Sequence, residues 1–539
     1  MISLLIALKF VLITSNITPY FRMMRFDELL YIDQTYNLFN GNFLGVYNEY
    51  TLTKGYIFPL FVLFFNVFKI SYVMGLEIFY VITLLLFFRA LRYYTDKEIV
   101  KISIFAVLLF SPVIVTWEMS NMFYRNGLSL VLAFLLFVIF LEIYNNSNNQ
   151  KNYFLFGIVA ALFMLNREDF YWFIPIFISL LFIKTKITNK IVPIVIIACS
   201  FFIVATVNYY YYDTFIVNEL KSGQFKNTYS LMMSVKRKND SNLIFSERIE
   251  LVKEYSPAFN SIFKDDNFGT YMSLKGNVES YKDLEDRGIP NHFFWIFRER
   301  VQQLGYYESA NEAELFYKRI YDEIKKEIDD GNLTKEKTIS TGMALPIYLD
   351  QINLEYLGAV SGRLATSFKM SATYDGIKYV EPCSPKYFGY EKKFEKITNV
   401  ENKKFLCSEK TRNYNQTTIV KIERIRKVYA IVTPFLLLGG FGSLIALIYK
   451  KKDIFAELAI FLAVTLLALG VSFADYTSFY ALRFYYLAPL YFFLPIASIL
   501  LILKLIKFYD PESIRKLYAE RKGKNLEIEV EEEITSKAR

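Results

Sequence analysis

Apolar residues fall into long runs along this chain. Runs near the roughly 20 residues that a membrane-spanning helix requires occur at about 2–21, 72–92, 99–117, 124–143, 153–167, 170–184, 191–212, 428–449, 454–474 and 484–506. They predict about ten transmembrane helices, and the two short ones flanking "NRED" (166–169) could instead form a broken hairpin. The first run lacks the small-residue cleavage site of a signal peptide and reads as a retained span. A further run, "YIFPLFVLFFNVFKI" (56–70), covers only about 22 Å as a helix, against a bilayer core of about 30 Å. Loop charges decide its role. If it spans, the basic stretch Arg89, Arg92, Lys97 and Lys101 faces outside and every later loop inverts. If it lies in the interface, that stretch faces the cytoplasm together with Lys184, Lys186, Lys190, Lys450, Lys451, Lys452 and the tail from Lys504. The second arrangement obeys the positive-inside rule at each loop. It places both termini in the cytoplasm and the loop 22–71 outside.

Between the seventh and eighth spans, residues 213–427 form a polar segment large enough to be a domain, extracytoplasmic on this topology. Within it, Leu315, Ile320 or Tyr321, Ile324 and Ile328 recur with a helical period that ends at Asp-Gly. "ATSFKMSATYDGIKYV" (365–380) alternates weakly around a Tyr-Asp-Gly turn and predicts a hairpin, so the domain is expected to be mixed. The expected fold is a polytopic α-helical membrane protein. Its parts are an N-terminal transmembrane module (1–212), the extracytoplasmic domain (213–427), a C-terminal transmembrane module (428–508) and a solvated cytoplasmic tail (509–539).

Composition agrees with this picture. Of 539 residues, 54% are hydrophobic and 21% charged, which is too apolar for a soluble chain yet leaves a sizeable water-facing part. The net charge of +9 is accounted for by basic anchors in cytoplasmic loops, and no nucleic-acid partner is expected. Cys199, Cys383 and Cys407 form no CxxC pair and His292 is the only histidine, so a zinc site built from these ligands is excluded and any metal would need carboxylates. Cys383 and Cys407 share the external segment, where an oxidising exterior permits a disulfide; their distance in space is left open. His292, set among aromatics, reads as a packed or surface residue.

The candidate chemistry begins after the first span. Residues 26–40 have a helical pattern, with Phe26, Leu29, Leu30, Ile32, Tyr36 and Phe39 on one broad face and Gly41 as a stop. Such a helix lies along the membrane surface. Asp27 and Gln34 are nearly eclipsed with Tyr31 between them, while Glu28 is turned about 100° away, so only one of the two acids can point into a given site. The plainer role for both is to complement the helix dipole, worth at most roughly 1 kcal/mol.

An Asp-Glu pair just outside the first span, then a Gly-ended helix and "TKGYIFPLFVLFFNVFKI", resembles the membrane-embedded glycosyltransferases of the GT-C superfamily. These include protein O-mannosyltransferases and the aminoarabinose transferases of lipid A. In that family the first external loop carries an acidic motif and a short amphipathic helix follows a "PPL"-like element; "IFPL" (57–60) has one of the two prolines. "LNREDFYWFIPI" (165–176) is similar to the family's "RPE" element, without the proline. "FADYTSFYALRFYYLAPLYFFLP" (473–495) is similar to "RYLLP", with Arg483 in the arginine position and Phe484 where tyrosine is common. The resemblance implies transfer of a sugar from a polyprenyl-phosphate donor to a glycan, lipid or protein acceptor at the outer face of the cytoplasmic membrane. It makes Asp27 the general base, with Glu28 in support or helping to hold a divalent cation, although two adjacent acids do not make a metal site. Arg167 and Arg483 become donor-phosphate ligands, and Lys54 and Arg125 weaker ones. Three other classes compete: a lipid-linked polysaccharide polymerase or ligase, dependent on external arginines, a multi-span transporter, and a receptor or assembly scaffold in which Asp27 and Arg483 would be replaceable without loss. Transporters carry charges at mid-depth and repeated halves; here Lys9, Glu77 and Glu457 are the main intramembrane charges and no repeat is visible.

Overall fold

The computed structural model describes residues 1–16, 19–25, 27–240, 243, 245–263, 289–339, 346–377, 383–477 and 480–509. The N-terminal part contains α1 (Ile2–Asn16), α2 (Glu28–Phe39), α3 (Ile57–Val67), α4 (Tyr72–Ala90), α5 (Glu98–Leu109), α6 (Asn126–Asn145), α7 (Gln150–Asn166), α8 (Ile174–Phe182) and α9 (Ile187–Tyr212). The polar segment follows with α10 (Gly223–Met232), α11 (Phe245–Tyr255), α12 (Pro257–Ser261), α13 (Ile289–Gln303), α14 (Ala310–Asp329), α15 (Leu354–Thr373), α16 (Tyr390–Thr398) and α17 (Asn402–Phe405). The chain returns to the bundle through α18 (Glu409–Tyr449), α19 (Phe455–Thr477) and α20 (Phe484–Tyr509). Among the described residues, strand is confined to two antiparallel pairs, Val235–Lys236 with Thr334–Lys335 and Thr338–Ile339 with Ile347–Tyr348.

The protein is therefore α-helical and membrane-type, but the expected ten spans are not all spanning-length helices. Six are long and apolar enough to cross a membrane, in α4, α6, α9, α18 (Ile419–Tyr449), α19 and α20. The other four runs give helices of 15, 12, 17 and 9 residues in α1, α5, α7 and α8, or about 13 to 26 Å at 1.5 Å per residue. Local causes are visible. Pro112 closely follows the end of α5, and the run continues as coil and a π-helical turn, Trp117–Asn121. α7 stops where the Asn166 carbonyl accepts Arg125 Nη1 (2.9 Å), and α8 starts only at Ile174, with Pro175 in its first turn.

Basic side chains gather at one end of the bundle. There Arg92 pairs with Glu142 (3.0 Å), Lys504 with Glu457 (3.0 Å), and Lys507 donates to the Tyr93 carbonyl (3.2 Å). Two charges buried in the bundle compensate each other: Lys9 on α1 and Glu77 on α4 lie 3.5 Å apart, both fully buried.

The polar segment packs in two groups. In the first, Phe225, Phe259, Phe297, Tyr317 and Ile320 from α10 to α14 form a core that also takes Leu44, Tyr47 and Leu52 from the loop after α2. α14 covers the expected helix, capped by Ser309, but its buried stripe is Ala313, Phe316, Tyr317, Ile320 and Ile324, and Leu315 faces outward. The second group lies on the membrane core: Phe394 of α16 packs against Phe21 (4.9 Å between ring centroids) and Phe123 (5.2 Å).

The expected hairpin at 365–380 is instead the end of α15. Asn353 caps that helix by accepting from Tyr356 N (2.8 Å), and the hydroxyls of Thr366 and Ser367 return to carbonyls one turn back. Small residues at 358, 359, 361, 362 and 365 blur the helical period. The Tyr-Asp-Gly turn is its stop, with Tyr374 and Gly376 both at positive φ (53° and 79°). Residues 378–382 lie outside the described residues.

Cys383 and Cys407 are joined by a disulfide with Cα atoms 4.9 Å apart. Beside it, Ser384 Oγ accepts the Phe21 amide (2.9 Å), tying this loop to the chain just before α2. Replacing both cysteines with serine is expected to cost roughly 3 kcal/mol, the closure entropy of a loop of this length, read as an earlier unfolding transition that reductant also produces in the wild type.

Candidate active site

The site begins at the start of α2. Asp27 is its N-cap residue, yet its side chain makes no capping bond and is paired instead with Lys54 Nζ. The loop that carries Lys54 is pinned at each step. Gln34 Nε2 donates to the Thr51 carbonyl (3.1 Å), Glu219 N to that of Leu52 (3.0 Å) and Asn218 Nδ2 to that of Thr53 (2.7 Å). Gly55 completes the path, since a Cβ there would collide with the Leu165 carbonyl oxygen at the end of α7. The eclipsed pair Asp27 and Gln34 thus both face residues 51–54, and Glu28 points elsewhere, to Arg22 (2.6 Å). The two acids therefore have separate partners. Among the described residues no group of three or more histidine, cysteine, aspartate or glutamate side chains is placed to hold a metal ion.

Burial alone would raise the Asp27 carboxyl, but the Lys54 ammonium and Arg22 hold it below the ordinary aspartate range. For Glu28 burial wins, helped by the charge of Asp27, and its carboxyl is raised despite Arg22. Lys54 itself is 4% exposed; it donates to the Tyr124 hydroxyl (3.1 Å) and lies over that ring at 4.9 Å.

Tyr124 joins this pair to a second set of charges. It lies within the fields of Asp27, Arg125, Arg167 and Glu168. Arg125 forms a two-pronged pair with Glu168 (2.8 and 2.6 Å), and Asn218 Nδ2 reaches the same carboxylate (3.2 Å). Arg167 forks onto Asp169, with Nε to Oδ1 at 2.7 Å, and also donates to Asn126. Burial opposes ionisation of Glu168 and Asp169, but their arginines hold both carboxyls below the usual range. Lys221 stands over Tyr171 (5.4 Å) beside these acids, and burial pulls its amine down.

Arg167 and Asp169 open onto a narrow cleft between α6, α19 and the start of α20. Its lining divides into a polar set, Asn126, Ser129, Arg167, Asp169, Tyr485 and Tyr486, and an apolar set that includes Met119, Leu130, Trp172, Leu467 and Pro489. Tyr486 is close enough to Asp27 and Tyr124 to interact with both. Arg483 is exposed at the rim, where Nη1 lies 3.5 Å from the Tyr485 hydroxyl, its one polar contact among the described residues.

The structure thus places Asp27, Lys54 and Arg167 around Tyr124 and Arg483 at the edge of the adjoining cleft. Glu28 is directed away, Cys383 and Cys407 serve a neighbouring loop, and the side chain of His292 lies outside the described residues. Lys54, expected as a phosphate ligand, already holds the expected base. Glu168, Asn218 and Lys221 were not legible as site residues: polar residues in loops carry no periodic signal, and Asn218 contacts Thr53 across 165 positions of sequence. No family model, curated protein or solved structure matches the chain.

Proposed function

We propose that the chain is a membrane-embedded glycosyltransferase that moves a sugar from a polyprenyl-phosphate donor to an acceptor hydroxyl at the outer face of the cytoplasmic membrane. The observation that carries this reading is Asp27, about a quarter exposed (24%) and held by Lys54 and Arg22, against burial, below the ordinary aspartate range, near a cleft lined both by polar side chains, the paired Arg167 and Asp169 among them, and by apolar ones. An amphiphile with an anionic head and an alkyl chain matches that division. In this reading α1, α5, α7 and α8 complete their crossings with coil at the ends, for about ten in all. The face with Arg92, Lys504 and Lys507 is cytoplasmic by the positive-inside rule, with both termini, and the polar segment is outside.

Asp27 takes the proton of the acceptor hydroxyl as its oxygen attacks the anomeric carbon; the bond from that carbon to the phosphate oxygen breaks, and polyprenyl phosphate leaves with the electron pair. One displacement inverts the anomeric centre. Arg483, which has no carboxylate partner among the described residues, meets the leaving phosphate, where charge grows in the transition state. Lys54 can pass from Asp27 to the same phosphate, which frees the carboxylate as the donor arrives. Glu28, held by Arg22, fixes the first turn of α2. The acceptor is a glycan, a lipid or a protein presented by the polar segment.

The pairing of Lys9 with Glu77 and of Glu457 with Lys504 leaves these intramembrane charges compensated, which counts against a transport path through them. The assay is release of polyprenyl phosphate from hexosyl and pentosyl polyprenyl-phosphate donors by protein in lipid nanodiscs. Arg483→Ala should raise the donor KM about tenfold, the loss of one charge-assisted bond. An unchanged KM removes Arg483 from the site, and absence of release by the wild type from every donor tried refutes the reading.

A further inference from the structure

Arg483 sits at the head of α20 on a short, weakly tied stretch. The Arg483 carbonyl accepts from Tyr486 N (3.1 Å) and Leu487 N (3.2 Å), but Pro489 cannot donate to the carbonyl of Tyr485, so this first turn is coupled poorly to the rest of the helix. What holds it comes from elsewhere. The Leu482 amide donates to Asp475 Oδ1 (2.9 Å) near the end of α19, and Asp475 Oδ2 accepts Nε of Arg363 (3.0 Å) on α15. Asp475 is 6% exposed, and that guanidinium is its ion-pair partner. Arg363 is itself fixed in place: it lies over the Tyr476 ring (4.9 Å) and donates to the Ala359 carbonyl (3.2 Å). Beyond Pro489, the Tyr491 hydroxyl donates to the Asp375 carbonyl just past the end of α15. One helix of the polar segment therefore grips the stretch from both sides.

We infer that Arg363 is a positioning residue that sets Arg483 through Asp475 and the Leu482 amide, so that the polar segment controls where the rim arginine stands. Its catalytic consequence rests on the proposed role of Arg483; the mechanical link does not. With Arg363 in place, one carboxylate oxygen of Asp475 is held by the guanidinium and the other is left facing the Leu482 amide. Without it, a buried carboxylate loses its counter-charge and one of its two anchors, its side chain is free to turn toward water, and the amide bond weakens.

The test uses the full chain in nanodiscs and hydrogen exchange of the peptide spanning 482–487. In Arg363→Gln, which keeps the stem over Tyr476 and removes the charge, that peptide should exchange roughly tenfold faster, the loss of about one net hydrogen bond. Arg363→Lys, which keeps the ion pair, should stay within about twofold of wild type, and peptides from α6 should be unchanged in both. Equal protection of 482–487 in wild type and Arg363→Gln overturns the inference; should Arg363→Gln fail to accumulate, Asp475→Asn, which keeps the Leu482 acceptor and loses the charge, takes its place with the same expected gain. Farnesyl phosphate, a short polyprenyl monophosphate, supplies the second readout: its Kd should rise about tenfold in Arg363→Gln and stay within about twofold in Arg363→Lys. Faster exchange with no farnesyl phosphate binding by the wild type sustains the link from Arg363 to Arg483 while counting against the donor reading.

Discussion

Asp27→Asn should leave a folded, membrane-inserted protein that releases polyprenyl phosphate at least about a thousandfold more slowly than wild type, within the range typical of losing a general base. The substitution keeps the shape of the side chain and an oxygen facing Lys54, but an amide cannot accept the hydroxyl proton. The stability cost should be about 1 to 2 kcal/mol, because one charge-assisted bond becomes neutral and the nearly buried Lys54 loses its counter-ion. Turnover is measured with the donor assay above, and folding by elution profile and thermal unfolding. Wild-type turnover in the mutant would sink the assignment of Asp27 and favour a ligase that works through external arginines.

The direction of the Asp27 shift fixes the pH behaviour. Its folded-state carboxyl lies below the ordinary range because Lys54 and Arg22 outweigh burial. The pair therefore contributes its full stability above the unfolded aspartate value, near 4, and loses it only as pH falls through the lower folded value. Turnover should accordingly show no Asp27 titration between roughly pH 5 and 8. On the proposed mechanism it is therefore the pairing of the carboxylate with Lys54, rather than its protonation, that governs its use.

The largest stability loss is expected from Glu219→Ala. Glu219 is 3% exposed and pairs with Arg298, which is completely buried; it also accepts the Tyr47 hydroxyl. Arg298 Nε donates to the Glu49 carbonyl (2.8 Å), so the pair sits where the first loop enters the core of α10 to α14. Removing the carboxylate strands a guanidinium in a dry interior and should cost roughly 3 to 5 kcal/mol. Thermal unfolding of the purified protein reads that loss. The double change Glu219→Leu with Arg298→Met should recover much of it, since an apolar pair of similar volume avoids the stranded charge. A Glu219→Ala protein as stable as wild type would mean that water reaches Arg298. The same variant should also slow sugar transfer, because residues 49 to 53 lead directly to Lys54.

How much of this was readable beforehand depends on the range of the forces involved. α2 was legible because it carries a local apolar period and a local stop, Gly41, and the run that holds α3 because it is too short to span. Span lengths were overestimated where apolar composition continues through coil: "FSPVIVTW" (110–117) is as greasy as a helix but contains Pro112, and its backbone is satisfied by turns and by the π-helical stretch after it. α15 was misread because glycine, alanine and serine leave little contrast between faces. The site divides in the same way. The separation of Asp27 from Glu28 follows from helical geometry alone. The pairing of Asp27 with Lys54 depends on Gly55 meeting the end of α7 and on Asn218, 165 positions away in sequence, meeting Thr53, and no local pattern encodes either.

The second packing group also dates the birth of the site. Phe21 is held by Ser384, Asp33 by Lys393 (2.6 Å), and Asn66 by the Ile397 carbonyl (2.8 Å). The first loop thus stays unfinished on the ribosome until partners as far as 363 residues downstream have been made. At about 5 to 20 residues per second, that leaves Asp27 without its final surroundings for roughly 20 to 70 s of synthesis. A chain truncated before residue 383 would carry the acid, the lysine and the arginine of the first module and still lack the contacts that hold Phe21, Asp33 and Asn66 on either side of them.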